Sequence, residues 1–318
     1  MHAAAISPRG GVSPRSARLR GQSIIEYVLI IAVVGLVIVF AGPGVAGAIR
    51  NQFNLVGNTV NNGTTGGAEG GASGGGSTGA DSATVQAAIA KDAKDWTLDE
   101  QKAVAEDIAA KGEASPAYAK AKAAMDAGTT WSVTLTNGET MNYRIIGINH
   151  DDLADGSGKT GLTYEATNDV MDRPIYNTTS TNAGGWEKSE LRGRLNSGDL
   201  WALLPSELQS KVKAVTKITD NKGGGSAGVP SATTDKIFLL SSTEVVGDLD
   251  GDGTQYEYYK FKGVTKSNYS GASSSIAHWL RSVHPGFSTA FRYVLKTGDC
   301  SRSCLAPGRG PVFPAWCF

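Results

Sequence analysis

An apolar run with a single carboxylate at its head sets the terms for this chain. Residues 28–41 are almost wholly aliphatic, and Glu26 stands just ahead of them within Gly21-Gln22-Ser23-Ile24-Ile25-Glu26-Tyr27. An ionised carboxylate at membrane depth is costly and calls for a cation beside it. The run continues through Gly42-Pro43-Gly44 to Ile49, and Arg50 ends it. That length, about 20 residues, suffices to cross a bilayer with some tilt, although Pro43 should kink it. Residues 1–20 carry Arg9, Arg15, Arg18 and Arg20 and no acid, which suits a cytoplasmic leader. A secretory signal would place small cleavage residues after its apolar stretch, whereas here the conspicuous Gly21 comes before it. The expectation is a cell-membrane protein with one span and its C-terminus outside.

These residues together resemble the type IVb pilins of the Flp (Tad) class, over roughly residues 20–57. The resemblance implies a basic leader at 1–21 and cleavage by a prepilin peptidase between Gly21 and Gln22. It implies other pilin subunits as partners of a transmembrane assembly helix at 22–56. Glu26 and the adjacent Tyr27 then have an assembly role, with Glu26 neutralising the freed amine of Gln22 on a neighbouring subunit. A buried carboxylate does need such a cation. The final location would be the cell surface or a pilus. Flp pilins are small, and most of the 318 residues lie beyond this region, so the expected place is a minor or tip subunit. The alternative is a membrane-anchored extracytoplasmic domain, enzyme or spacer, that does not polymerise, with Glu26 near the cytoplasmic interface.

Residues 57–80 are nearly all Gly, Ser, Thr, Asn and Ala. Such a composition behaves as a flexible tether with a reach of roughly 25 Å. The formal net charge is zero, so no electrostatic case exists for a nucleic-acid partner. Residues 81–128 read as short helices. Asp81 or Ser82 caps the first. Thr97-Leu98-Asp99-Glu100 is a capping box that opens the second, ending near Gly112. Ser115-Pro116 starts a third that stops at Gly128.

The remainder, 129–318, reads as an extracytoplasmic α+β domain on a mostly antiparallel sheet. Alternation over residues 131–136 and 139–148 around Asn137-Gly138 predicts a two-residue hairpin. Residues 161–166, 213–219, 236–240, 278–282 and 290–295 read as strands. Residues 186–195, 199–203, 205–212 and 242–246 read as helices, and 223–234 as a loop. Blocks such as Tyr143-Arg-Ile-Ile-Gly-Ile-Asn-His150, Gly185-Trp-Glu-Lys-Ser-Glu-Leu-Arg192 and Trp279-Leu280-Arg281-Ser282 resemble an uncharacterised extracellular domain family of bacterial surface proteins, over roughly residues 84–318. The Trp-Leu-Arg-Ser block is in turn distantly similar to the formylglycine-generating-enzyme and C-type-lectin-like fold group.

Several clusters invite chemistry. Asp248, Asp250 and Asp252 alternate in a Gly-bearing loop and could converge on Ca²⁺, although Tyr259 replaces the closing Glu of an EF-hand; a solvated acidic loop is the alternative. Asp151, Asp152 and Asp155 could form a similar turn. His278 and His284 lack an evident nucleophile and read as structural or surface histidines. Cys300, Cys304 and Cys317 predict one disulfide of open pairing with one thiol left over. Trp186, Trp201, Trp279, Trp316, Tyr256, Tyr258 and Tyr259 could present aromatic faces to a glycan or protein ligand; burial in the core is the alternative. No catalytic constellation emerges, and the reading favours an adhesin-like display domain.

Overall fold

The structure, a computed structural model, describes residues 82–318. The expected features at Gly21, Gln22, Glu26 and Tyr27, the helix at 22–56 and the tether at 57–80 lie outside the described residues. Among the described residues no helix is long and apolar enough to cross a membrane. This corrects the fold class and the single-pass membrane location expected from the sequence. The domain is sheet-rich with short helices. Its longest described helix has 14 residues and carries charge throughout, a length of about 21 Å against a hydrocarbon core of about 30 Å.

Three helices come first: α1 (Ser82–Ile89), α2 (Leu98–Lys111) and α3 (Tyr118–Ala127). The capping box forms as expected. Thr97 accepts from the Glu100 backbone N–H at 3.2 Å, and the Glu100 carboxylate accepts from the Thr97 N–H at 2.7 Å. The helices stop at Gly112 and Gly128. The third begins later than expected, at Tyr118, and Ser115 lies in the preceding turn, accepting from the Ala117 N–H and donating to Asp107. Val104 and Ile108 lie four apart and are fully buried, which places them on one face. Burying each contributes about 1.5–3 kcal/mol.

The main sheet is antiparallel in the order β1 (Thr130–Thr134), β2 (Thr140–Ile148), β3 (Leu162–Ala166) and β9 (Ala315–Cys317). Its hairpin differs from expectation. Leu135 donates to the Glu139 carbonyl at 2.8 Å, leaving Thr136, Asn137 and Gly138 as a three-residue loop. Gly138 has φ 87°, the left-handed position such loops require. One face of the sheet carries an aromatic layer. Trp131 stacks on Trp96 at 6.2 Å between ring centroids, and Trp316 packs against Tyr143 at 5.1 Å and Tyr164 at 5.9 Å. Helix α2 crosses so close that a methyl at Gly161 would lie 1.7 Å from the Ala105 carbonyl oxygen.

Beyond β3 come α4 (Glu190–Asn196), α5 (Asp199–Ala202) and α6 (Ser206–Gln209). The helix expected over 186–195 is thus shorter, its first residues being turns. A two-stranded ribbon of β4 (Val215–Thr219) and β5 (Ser231–Asp235) follows, with β5 inside the region read as a loop. Residues 236–240, expected as a strand, make one bridge, Phe238 to Ala315. Helices α7 (Ser242–Val246) and α8 (Glu257–Phe261) lead to a three-stranded antiparallel sheet of β6 (His278–Val283), β7 (Ala290–Val294) and β8 (Arg302–Leu305). Behind β6 and β7, Tyr176 stacks on Phe291 at 3.6 Å.

Candidate functional site

The densest chemistry of the domain lies in its interior. Strand β4 alternates Val215, Lys217 and Thr219 on its buried face, so Lys217 is carried inside with 3% exposure. Its ammonium donates to Asp151 Oδ1 at 2.6 Å and to Tyr256 Oη at 3.0 Å, and it pairs with Glu244 Oε1 at 2.6 Å. It also sits 4.3 Å from the Phe238 ring centroid, a cation–π contact. Glu244 is held in a second capping box by Ser241 at the start of α7. Its carboxylate takes both terminal nitrogens of Arg281, from β6. The guanidinium is fully buried, and its remaining donors go to Thr219 Oγ1 at 2.7 Å, the Leu239 carbonyl at 2.9 Å and the Ile218 carbonyl at 3.1 Å.

Two cations thus neutralise two anions with no water access. Burial would raise the Asp151 carboxyl, but the Lys217 ammonium overrides it and holds Asp151 well below the usual range. Burial would likewise raise Glu244, and Arg281 and Lys217 bring it down instead. For Lys217, burial acts downward, and the two carboxylates outweigh it to leave the ammonium raised. Such a network fixes one arrangement of three elements, since each buried charge needs all its partners. All four charged groups are buried, so the network ties these elements together from the inside.

The acidic loop at 248–252 does not converge on a cation. Asp248 faces solvent and pairs with Lys266 at 2.9 Å. Asp250 forks onto Arg292 at 2.8 and 2.9 Å and accepts from Ser242. Asp252 turns inward, fully buried, beside Ser282 and with its backbone carbonyl near Arg281. Burial pushes its carboxyl up to about 6, so near pH 5 it is mostly protonated. Among the described residues no group of three or more His, Cys, Asp or Glu side chains could hold a metal ion. The Ca²⁺ expectation for Asp248, Asp250 and Asp252 thus finds no support: Lys266 takes Asp248, Arg292 takes Asp250, and Asp252 is buried away from both. The turn at Asp151, Asp152 and Asp155 divides in the same way, with Asp151 inside the network and Asp152 outside on Lys159 at 2.9 Å.

The cysteines are also placed differently from expectation. Cys300, Cys304 and Cys317 are all free thiols. Cys317, on β9, lies within 3.4 Å of Thr163 Oγ1 and 3.5 Å of Asp151 Oδ2. Burial pushes its thiol well above the usual range, so it donates to the network rather than bridging. Cys300 is buried and donates to the Gly298 carbonyl at 3.3 Å. His278 is buried against Phe313 at 4.0 Å, and burial pushes it down to about 4; it is a neutral packing residue. Trp186, Trp279 and Trp316 are buried, as are Tyr256, Tyr258 and Tyr259. Of the aromatics singled out in the sequence, only Trp201 is partly exposed, beneath Lys236, and the others do not form an exposed face.

What the domain does offer to solvent is an open cleft of about 410 Å³ between the start of α2 and strands β1 and β2. Lys94, Asp95, Ser132 and Asn142 line it at exposed positions, with Trp96 and Trp131 beneath. Gln101 is fixed there, donating to the Trp96 carbonyl at 3.1 Å and accepting from Tyr143 Oη at 3.2 Å. Trp131 is only 6% exposed, so the aromatics shape the floor, while both charge signs, an amide and a hydroxyl face the opening. Sequence reading missed it, because its residues come from segments that read separately as helical layer and hairpin. A signal for the buried network was present: a lysine in phase with the apolar residues of a strand requires a buried counter-charge.

With this geometry in view, comparison with known proteins places the chain. Residues 157–317 match the family described as Domain of unknown function (DUF6273). No curated protein and no solved structure matches the chain. The match is narrower than the 84–318 expected from the sequence blocks. It includes Lys217, Glu244 and Arg281 of the network and leaves Asp151 outside. Spanning just over half of the sequence and the greater part of the described domain, it shows that the chain belongs to the DUF6273 family.

Proposed function

We propose that the chain is a pilin-related subunit of the Flp type, minor or at a tip, whose C-terminal domain recognises a glycan. One observation carries the recognition half: the cleft beside Trp96 and Trp131, open to solvent and rimmed by both charge signs, an amide and a hydroxyl, which suits a neutral, hydroxyl-rich ligand. The assembly half rests on Gly21-Gln22, Glu26 and Tyr27 in the sequence. In this reading a prepilin peptidase frees the Gln22 amine, and Glu26 of the next subunit neutralises it. The distant similarity of Trp279-Leu280-Arg281-Ser282 to the formylglycine-generating-enzyme and C-type-lectin-like group accords with a binding role. Here that block serves the interior, with Arg281 on Glu244.

N-terminal sequencing of the mature protein tests the assembly half. A start at Gln22 supports it, and an intact leader sinks it. A glycan array with the full-length protein tests recognition. Bound glycans should be lost on Ser132→Trp, which fills the cleft mouth at an exposed position. A blank array, or binding indifferent to that substitution, removes the recognition claim.

A further inference from the structure

Above the buried network, three side chains that the sequence reading did not group stand in one hydrogen-bonded line. Strand β2 gives way to Asn149, whose φ of 50° is left-handed, a conformation Asn tolerates better than most residues. That turn lays the His150 ring on Tyr256, 4.1 Å between centroids. A bare backbone at Gly147 permits the approach, since a methyl there would lie 2.8 Å from the Tyr256 ring. His150 Nδ1 is 3.1 Å from both carboxylate oxygens of Glu257, the first residue of α8. Its Nε2 is 3.2 Å from Thr254 Oγ1. The His150 side chain is 8% exposed, whereas Thr254 is exposed.

The order of these groups has chemical content. A carboxylate accepts only, so it selects the tautomer with the proton on Nδ1. The Nε2 lone pair then faces the Thr254 hydroxyl. This is the arrangement of a nucleophile, its base and the group that orients the base. A simple ion pair between loops would account for Glu257 and His150 but not for a hydroxyl on the opposite nitrogen. Stacking on Tyr256, itself tied to Asp151 at 3.0 Å, anchors the ring to the rigid network below.

We propose that Thr254 is an acyl-accepting nucleophile, with His150 as its general base and Glu257 as the residue that positions His150, acting on small carboxylic esters that approach from solvent. Thr254 Oγ1 attacks the ester carbonyl carbon, and its proton passes to His150 Nε2. The C–O bond to the alcohol breaks, and the alkoxide leaves with that proton. Water then attacks the acyl-threonine, gives one proton to His150 and releases the acid. The proton returns to Thr254, so no oxidant or further reactant is needed. The proposal is independent of the glycan cleft.

The test uses purified full-length protein and p-nitrophenyl acetate, with peptide mass spectrometry after a short exposure. An acetyl group on the peptide containing Thr254 is expected. Thr254→Ala should abolish that adduct and the associated turnover, and its exposed position keeps the fold intact. His150→Gln should lower the rate by roughly 10²–10⁴-fold, the range for removal of a general base. Glu257→Gln should lower kcat with little change in KM, and Glu257→Asp should recover part of it, which a merely structural role would not produce. Wild-type turnover by Thr254→Ala or His150→Gln overturns the proposal. So does acetylation confined to lysines, or hydrolysis by the folded wild-type protein no faster than buffer.

Discussion

Replacing Lys217 by methionine tests the account of the interior. The substitution keeps an unbranched side chain of similar length and removes the one cation that joins Asp151 to Glu244, each at 2.6 Å. Glu244 retains Arg281. Asp151 retains only neutral donors, Thr163 Oγ1 at 2.6 Å, Tyr256 Oη at 3.0 Å and the Cys317 thiol at 3.5 Å, and at 2% exposure it is shielded from solvent. Breaking a buried pair from one side costs about 3–5 kcal/mol. In a domain of this size each kcal/mol moves Tm by about 2–4 °C, so a fall on the order of 10 °C is expected. Thermal and urea unfolding of the full-length protein at pH 7, followed by tryptophan fluorescence, give both quantities, and an unchanged m-value shows that the unfolded state is comparable. Adding Asp151→Asn removes the stranded charge, so the double variant should recover part of the loss, with a coupling of about 0.5–3 kcal/mol. A single variant within about 1 kcal/mol of wild type, or a double variant that is additively worse, would refute the reasoning.

Asp252 and His278 should oppose one another as pH changes. Asp252 has a folded value near 6, above its unfolded 3.8, so its contribution is full below about pH 4 and is lost as pH rises through 6. His278 has a folded value near 4, below its unfolded 6.5, so its contribution is present above pH 6.5 and is lost as pH falls through 4. Each amounts to about 3 kcal/mol. Asp252→Asn should therefore stabilise by about that amount at pH 7 and by little at pH 4; equal effects at both would count against a protonated Asp252. His278→Phe, which keeps the stack on Phe313, should make stability fall as pH rises from 4 to 6.5, and a flat profile in urea titrations would refute it. Gly161→Ala forces α2 off β3, so a loss of at least about 1–3 kcal/mol is expected; wild-type Tm would show that the two elements are not so close.

Much of the local structure was legible because it depends on neighbours in the chain. The Thr97–Glu100 box, the stops at Gly112 and Gly128, and strands β1, β2, β6 and β7 all fall where alternation and capping place them. Errors arose where tertiary contact overrides propensity. Residues 236–240 are apolar enough for a strand but find only one bridging partner, at Ala315. Strand β5 is polar, reads as loop, and forms because β4 lies beside it. The acidic loop suggested a cation site from spacing alone. Spacing cannot register that Arg292 and the interior would take Asp250 and Asp252 away from a shared point.

By itself the sequence determined which segments alternate, where helices start and stop, and that Lys217 and Arg281 fall within strand segments rather than loops. Only the tertiary structure decided what those cations meet. Asp151 and Lys217 are 66 residues apart, Glu244 and Arg281 37, and His150 and Glu257 107. Such pairings follow from how loops close in space, and periodicity carries no information about that. The same holds for Cys317, which cysteine counting leaves open between a disulfide and a spare thiol and which burial beside Asp151 makes a hydrogen-bond donor.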